Sequence, residues 1–214
     1  RLSQSIFTSL IFIGLIWIIK SIEILFHQDL SWLGVLPMHW QGSLGILTAP
    51  LVHGSLEHLF NNTLPLLILG SVLLYGYPKS RWRVLGFIWL ISGVGVWLFA
   101  REASHIGASG LAHGMFFFLF VVSIFRRDKS SVAIMMIAFL IYGGMTMTIF
   151  PREEGISFEY HFFGAVAGVA AALIWRDRDP KPKEKRYFWE GTGDQIEDPV
   201  IGEEWRNTDE NNRN

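Results

Sequence analysis

Apolar residues gather in six long runs along this chain of 214 residues, and polar or charged breaks separate them. We place the runs at Ile6–Phe26, His58–Leu74, Val84–Ala100, Ser109–Phe125, Val132–Phe150 and Tyr160–Trp175. Crossing a bilayer core takes about 20 helical residues, and each run is that long or nearly so. Backbone groups in lipid must find partners within their own segment, so the runs predict helices. The expected fold class is an all-α membrane protein, a bundle of six transmembrane helices over residues 1–176, followed by a polar tail. The first run is too long, and too poor in a small-residue cleavage site, to read as a signal peptide.

The breaks differ among themselves. Residues 27–53 carry Trp32, Leu33, Val35, Leu36, Pro37, Met38 and Trp40. An interfacial, partly embedded loop fits that content, because Trp favours the headgroup level; packing on the helix ends fits it equally. Gly54-Ser55 then offers a helix N-cap, with Glu57 placed against the helix dipole. Pro65 falls inside the second run, where a kink is expected. Beyond Trp175 the composition turns polar, with Pro180, Pro182 and a final Asn/Asp/Glu run. Residues 177–214 therefore read as a disordered cytoplasmic tail. In it Phe188, Trp189 and Trp205 are stray aromatics or a short docking element.

Net charge is −1 and says little; its distribution says more. Lys79, Arg81 and Arg83 follow the second run, Arg126, Arg127 and Lys129 the fourth, and a basic cluster from Arg176 to Arg186 the sixth. The alternate connections hold only Arg101 and Arg152. By the positive-inside rule both termini are cytoplasmic. The minimal six-span form points to a bacterial inner membrane. Cysteine is absent from the sequence, which removes disulfides, a thiol nucleophile and cysteine-ligated metals from consideration.

Polar residues at bilayer depth are costly and are functional candidates by default. Ser109 stands in Gly107-Ala108-Ser109-Gly110 at the start of the fourth run. Glycines on both sides leave its hydroxyl uncrowded, and free N–H groups at a helix start favour developing negative charge. Small-residue helix packing explains the same four residues. His161 opens the sixth run from the same side. Gly164 and Gly168 make a small-residue face on its helix, and Gly110 with Gly114 a matching face on the serine's helix. Two such faces permit the close approach that a serine and its base require. His58 and Asn62, four apart, share one face at the start of the second run and could donate to an oxyanion. His53 precedes them and could brace the loop.

The ordered set His53, His58-Leu59-Phe60-Asn61-Asn62, Gly107-Ala108-Ser109-Gly110 and His161-Phe162-Phe163-Gly164 with Gly168 resembles the rhomboid intramembrane serine proteases. The resemblance covers about residues 1–176. It implies a six-helix fold of the bacterial type and a serine endopeptidase. It further implies Ser109 as nucleophile, His161 as base without an acidic third member, and His58, Asn62 and the Ser109 amide as oxyanion donors. His53, Gly107, Gly110, His113, Gly164 and Gly168 would support them. The loop before His53 would be the family's membrane-embedded first loop, and the fifth run part of a substrate gate. Partners would be transmembrane protein substrates and the lipid bilayer. No nucleic acid, cofactor or metal is expected.

Two departures stand out. Many rhomboids carry Trp-Arg in the first loop, and the matching positions here are Leu44-Gly45. Four residues after the serine the family has an aromatic that packs on the histidine; here it is His113. That imidazole either stacks on His161 or competes with it as a base. Three rivals remain beside the Ser–His reading. One is a Ser–Lys dyad through Lys20, although Lys20 can pair with Glu23. A second is a metalloprotease built from His53, His58, His105, His113 and His161, although no His-Glu-x-x-His occurs. The third is a rhomboid-like pseudoprotease that binds transmembrane helices without cutting them.

Overall fold

A computed structural model describes residues 2–151 and 157–181 of the chain. Among these residues seven α-helices form: α1 (Leu2–Leu25), α2 (Gly45–Thr48), α3 (Leu56–Gly76), α4 (Arg81–Phe99), α5 (Ser109–Arg126), α6 (Lys129–Tyr142) and α7 (Phe158–Trp175). All but the short α2 belong to segments long and apolar enough to cross a membrane. Their spans of 18 to 24 residues correspond to about 27–36 Å at 1.5 Å per residue. The six expected runs are thus six helical segments, and the protein is a multi-pass integral membrane protein.

Burial separates these helices. In α5 72% of the apolar window is buried, against 11% for the segment containing α6. Helix α5 is therefore the central post, and its Leu111, Met115, Phe116, Phe118, Leu119 and Val122 face protein rather than lipid. Lipid tails are as apolar as leucine, so no hydrophobic drive pulls such helices together; close packing does. Small residues make that packing possible between α5 and α7. A methyl group at Gly164 would collide with the carbonyl oxygen of Gly110, and one at Gly168 with that of Gly114. The matched glycine faces expected from the sequence meet each other, backbone on backbone.

One expectation needs correction. The hydropathy pattern predicts helix through the fifth run to Phe150, but α6 ends at Tyr142 and gives way to a single 3-10 turn, Gly143–Thr146. Gly143-Gly144 explains the break, because each glycine costs about 1 kcal/mol of helix propensity against alanine. Residues 147–151, after the turn, are irregular.

The first loop is ordered by short 3-10 turns at Ser31–Leu33, Trp40–Leu44 and Ala49–Leu51 around α2. Trp32, Met38 and Trp40 project outward while Val35, Ala49 and Val52 are buried. The loop packs on the helix ends, one of the two readings the sequence offered, and it exposes Trp32 and Trp40. At Gly45, where the family pattern has arginine, a Cβ would overlap the backbone of Gly34. The loop is anchored instead by α4, whose Trp89 and Trp97 donate their indole N–H to the carbonyls of Leu47 (3.2 Å) and His39 (2.9 Å).

At the opposite end of the bundle, residues 177–181 fold back against it. The Asp179 carboxylate accepts from the Ser80 hydroxyl and the Lys79 amide, and the carbonyls of Asp179 and Pro180 accept from Arg126. The expected tail therefore begins later than 177. Its remainder, including Phe188, Trp189 and Trp205, lies outside the described residues.

Candidate active site

Three helix starts and three connections converge at one end of the bundle. Ser55 caps α3, its hydroxyl accepting from the His58 amide at 3.0 Å, as the Gly54-Ser55 pattern predicts. The cap fixes where α3 begins, and so fixes His58 in its first turn. The His58 ring then lies over Gly107. A Cβ at position 107 would stand 2.5 Å from His58 Cε1 and 2.7 Å from Nε2. Gly107 also has φ of +112°, a conformation costly for any other residue. Two independent constraints thus demand glycine two residues before Ser109.

His53 ties the loop to the helix that carries the serine. Its Nε2 accepts the amide of Ala108 at 3.3 Å, and its ring meets that of His58 edge-on at 5.1 Å. Burial, with the nearby charges of His58 and Lys20, pushes the His53 pKa down to about 3, so the ring is neutral. A neutral ring is what accepting a backbone N–H requires. Beside it, Gly107 donates its amide to the Ala49 carbonyl at 2.9 Å. Asn62, one turn below His58, is buried, and its side-chain amide donates to the His58 carbonyl at 3.0 Å. One of its two N–H donors remains beyond that bond.

Ser109 begins α5, so its amide is among the helix's unpaired N–H groups. Ser109 and His161 are each 9% exposed, nearly enclosed. The crossing at Gly110 and Gly164 brings the first turns of α5 and α7 into backbone contact next to both residues. No hydrogen bond joins the Ser109 hydroxyl to the His161 ring among the described residues. The His113 ring stacks on that of His161 with centroids 4.0 Å apart and planes 9° from parallel. Both nitrogens of His113 are engaged: Nδ1 with the Ser109 carbonyl and Nε2 with the Thr148 hydroxyl, each at 2.7 Å. Of the two roles open to His113, the geometry fits stacking, because no nitrogen is left to act as a base. His161 Nδ1 meets the Thr148 carbonyl at 3.0 Å.

The rival constellations are not assembled among the described residues. Lys20 Nζ lies 3.1 Å from Glu23 and 3.3 Å from the Gly54 carbonyl, so it pairs with its neighbour as expected and braces the loop beside His53. His105 stands apart from the other histidines, binding Ser157 Oγ at 2.6 Å and the Arg101 carbonyl at 3.0 Å.

Ser157, Thr148 and the Arg101–Glu159 pair belong to no motif in the sequence. Ser157 caps α7 and is held by His105; together with the Arg101–Glu159 pair at 3.3 Å it pins the start of the histidine's helix to the α4–α5 connection. His105 is held in turn by a paired-backbone bridge to Val35 in the first loop. Thr148 is hidden inside an apolar run whose hydropathy predicts helix to Phe150. The Gly143-Gly144 pair is the signal that could have revealed it.

Comparison with known proteins gives two concordant findings. A Rhomboid domain model matches residues 39–178. An uncharacterised protein of Mycobacterium tuberculosis (strain H37Rv) is 36% identical over 177 residues, covering 78% of this chain and 73% of its own length. One from Mycobacterium leprae is 33% identical over the same length, covering 78% and 70%.

Proposed function

This chain belongs to the rhomboid family, and on that premise we propose that it is an intramembrane serine endopeptidase that cuts transmembrane helices of other proteins near its Ser109 end. The observation that carries the reading is the glycine-on-glycine crossing of α5 and α7, which sets two helix starts bearing Ser109 and His161 in contact.

In this reading the Ser109 hydroxyl attacks the scissile carbonyl carbon while His161 Nε2 takes its proton. The carbonyl oxygen becomes negative and is met by the Ser109 amide, His58 and Asn62. Collapse breaks the C–N bond, and His161 returns the proton to the leaving amine. The acyl-enzyme is then hydrolysed by water activated through the same nitrogen. His53, Gly107, Gly110, Gly164 and Gly168 hold these groups in place. Hydrolysis needs water, and the polar residues clustered at one end of the helices offer a site for it. The sparsely buried α6 fits the role of the movable side past which a substrate helix reaches Ser109. Substrate helices rich in glycine or proline would unwind at least cost.

The basic residues concentrate at the end opposite Ser109, which supports cytoplasmic termini and cleavage towards the outer face. The mycobacterial relatives support a bacterial plasma membrane.

The deciding experiment is cleavage of a generic transmembrane substrate in liposomes by the parent protein, Ser109→Ala and His161→Ala, together with fluorophosphonate labelling. The parent is expected to cleave and to be labelled at Ser109, and both variants to be inert. Cleavage by purified Ser109→Ala would overturn the assignment. A folded parent that binds the substrate helix but neither cleaves nor labels would instead be a pseudoprotease.

A further inference from the structure

Thr148 touches both stacked histidines with different atoms. Its carbonyl oxygen lies 3.0 Å from His161 Nδ1 and its hydroxyl 2.7 Å from His113 Nε2. The far nitrogen of His113, Nδ1, lies 2.7 Å from the Ser109 carbonyl. The protons follow from chemistry. A carbonyl oxygen only accepts, so neutral His161 carries its single proton on Nδ1 and keeps a lone pair on Nε2. By the same rule His113 donates from Nδ1 to Ser109, so its Nε2 accepts and the Thr148 hydroxyl donates to it. The Met145 carbonyl, at 3.1 Å, is the more distant acceptor for that proton.

A stacked neighbour fixes the plane of an imidazole but not its rotation within that plane. The bond at Nδ1 supplies the second constraint, directing Nε2 away from Thr148. Carboxylates do this for many catalytic histidines. No acidic side chain bonds His161 Nδ1 among the described residues; a main-chain carbonyl in an irregular connection does. Such a carbonyl is accurately placed only if its residue is anchored, and the hydroxyl bond to His113 anchors it to α5.

We infer that Thr148, held by His113, is a positioning residue that sets the tautomer and rotation of His161. The inference rests on the proposed reading of Ser109 and His161 as the reacting pair. It assigns His113 a purpose that a simple stacking aromatic cannot serve, because phenylalanine would stack yet leave Thr148 without its bond to α5.

The test uses the full chain in liposomes with a transmembrane substrate. Thr148→Val, which removes only the hydroxyl bond, is expected to lower kcat by about 10- to 100-fold, the scale of a misplaced catalytic group. KM and the melting temperature should be unchanged. Fluorophosphonate labelling of Ser109 should slow in parallel. Thr148→Ser restores the bond and should restore kcat. His113→Phe should match Thr148→Val, and the double variant should fall no further, because both remove one link. Parental kcat in Thr148→Val, additive losses in the double variant, or failure of serine to rescue would each overturn the positioning role. If Thr148→Val does not fold, an unchanged kcat in His113→Phe overturns that role equally, and a lowered one supports it. Ser109→Ala is run alongside: cleavage by that variant defeats the dyad itself, whereas an inert Ser109→Ala beside a fully active Thr148→Val defeats only the role of Thr148.

Discussion

The two ends of the helix bundle both bury polar side chains, yet they use them in opposite ways. At the end away from Ser109, Arg126 is 5% exposed and donates to Asp128, to Ser131 and to the carbonyls of Arg176, Asp179 and Pro180. Asp179 is spent on Ser80 and Lys79. Burial alone would raise the Asp128 pKa, but bonds from Ser131 and Arg126 outweigh it and hold the carboxyl below its ordinary value. This end is a charged lock centred on Arg126 and Asp179. At the Ser109 end the Lys20–Glu23 and Arg101–Glu159 pairs brace the surrounding segments, while the groups next to the serine are imidazoles, hydroxyls and amides, and their network stops short. His53, His105, His113 and Thr148 are each tied to a neighbouring element. The Ser109 hydroxyl and His161 Nε2 have no partner among the described residues. The network around Arg126 holds helices together; on the proposed reading, the open one leaves the Ser109 hydroxyl and His161 Nε2 for an incoming carbonyl.

The sharpest way to break this contrast is to delete one group from each end. Ser109→Ala should abolish cleavage, a loss of at least about a thousand-fold in kcat, while thermal unfolding stays unchanged. Arg126→Met should do the reverse. It leaves buried acceptors without their cation and should cost about 3–5 kcal/mol of stability, read as a lower melting temperature, with cleavage per folded molecule retained. If the serine variant melted early, or the arginine variant folded normally but could not cleave, the division of labour would be wrong. Within the Ser109 end, Asn62→Ala should lower kcat by about a hundred-fold with little change in KM, as loss of an oxyanion donor does. An unchanged kcat would remove Asn62 from the proposed donors.

The smallest effect concerns pH. His53 has a pKa near 3 in the fold against 6.5 ordinarily, so below pH 6.5 the unfolded chain binds a proton that the folded chain refuses. Stability is therefore complete above about 6.5 and declines as pH falls towards 3. Replacing His53 with Gln should flatten that slope, measured as melting temperature against pH. A slope identical to the parent's would show that His53 does not contribute to it.

The spans were legible because lipid imposes length and internal bonding on each segment separately, which is a local constraint. The glycine faces were legible for a related reason: Gly164 and Gly168, like Gly110 and Gly114, are four apart on one strip of helix, and a bare strip invites a partner. Gly45 shows the limit. In the linear pattern it is a missing arginine, whereas in space it is the residue that lets the loop cross Gly34.

The sequence by itself determined the number of membrane segments, which helices could touch closely, and which polar residue types gather at one end. Periodicity and hydropathy are properties of neighbours along the chain, and these features needed nothing more. Only the tertiary structure decided that Thr148 reaches His113 and His161, that Ser157 leans on His105, and that Asp179 returns to Ser80 and Arg126. Each of those bonds joins residues 13 to 99 positions apart. Their partners are single polar atoms with no repeating pattern, so they come into being only when packing has fixed where the backbone of each connection runs.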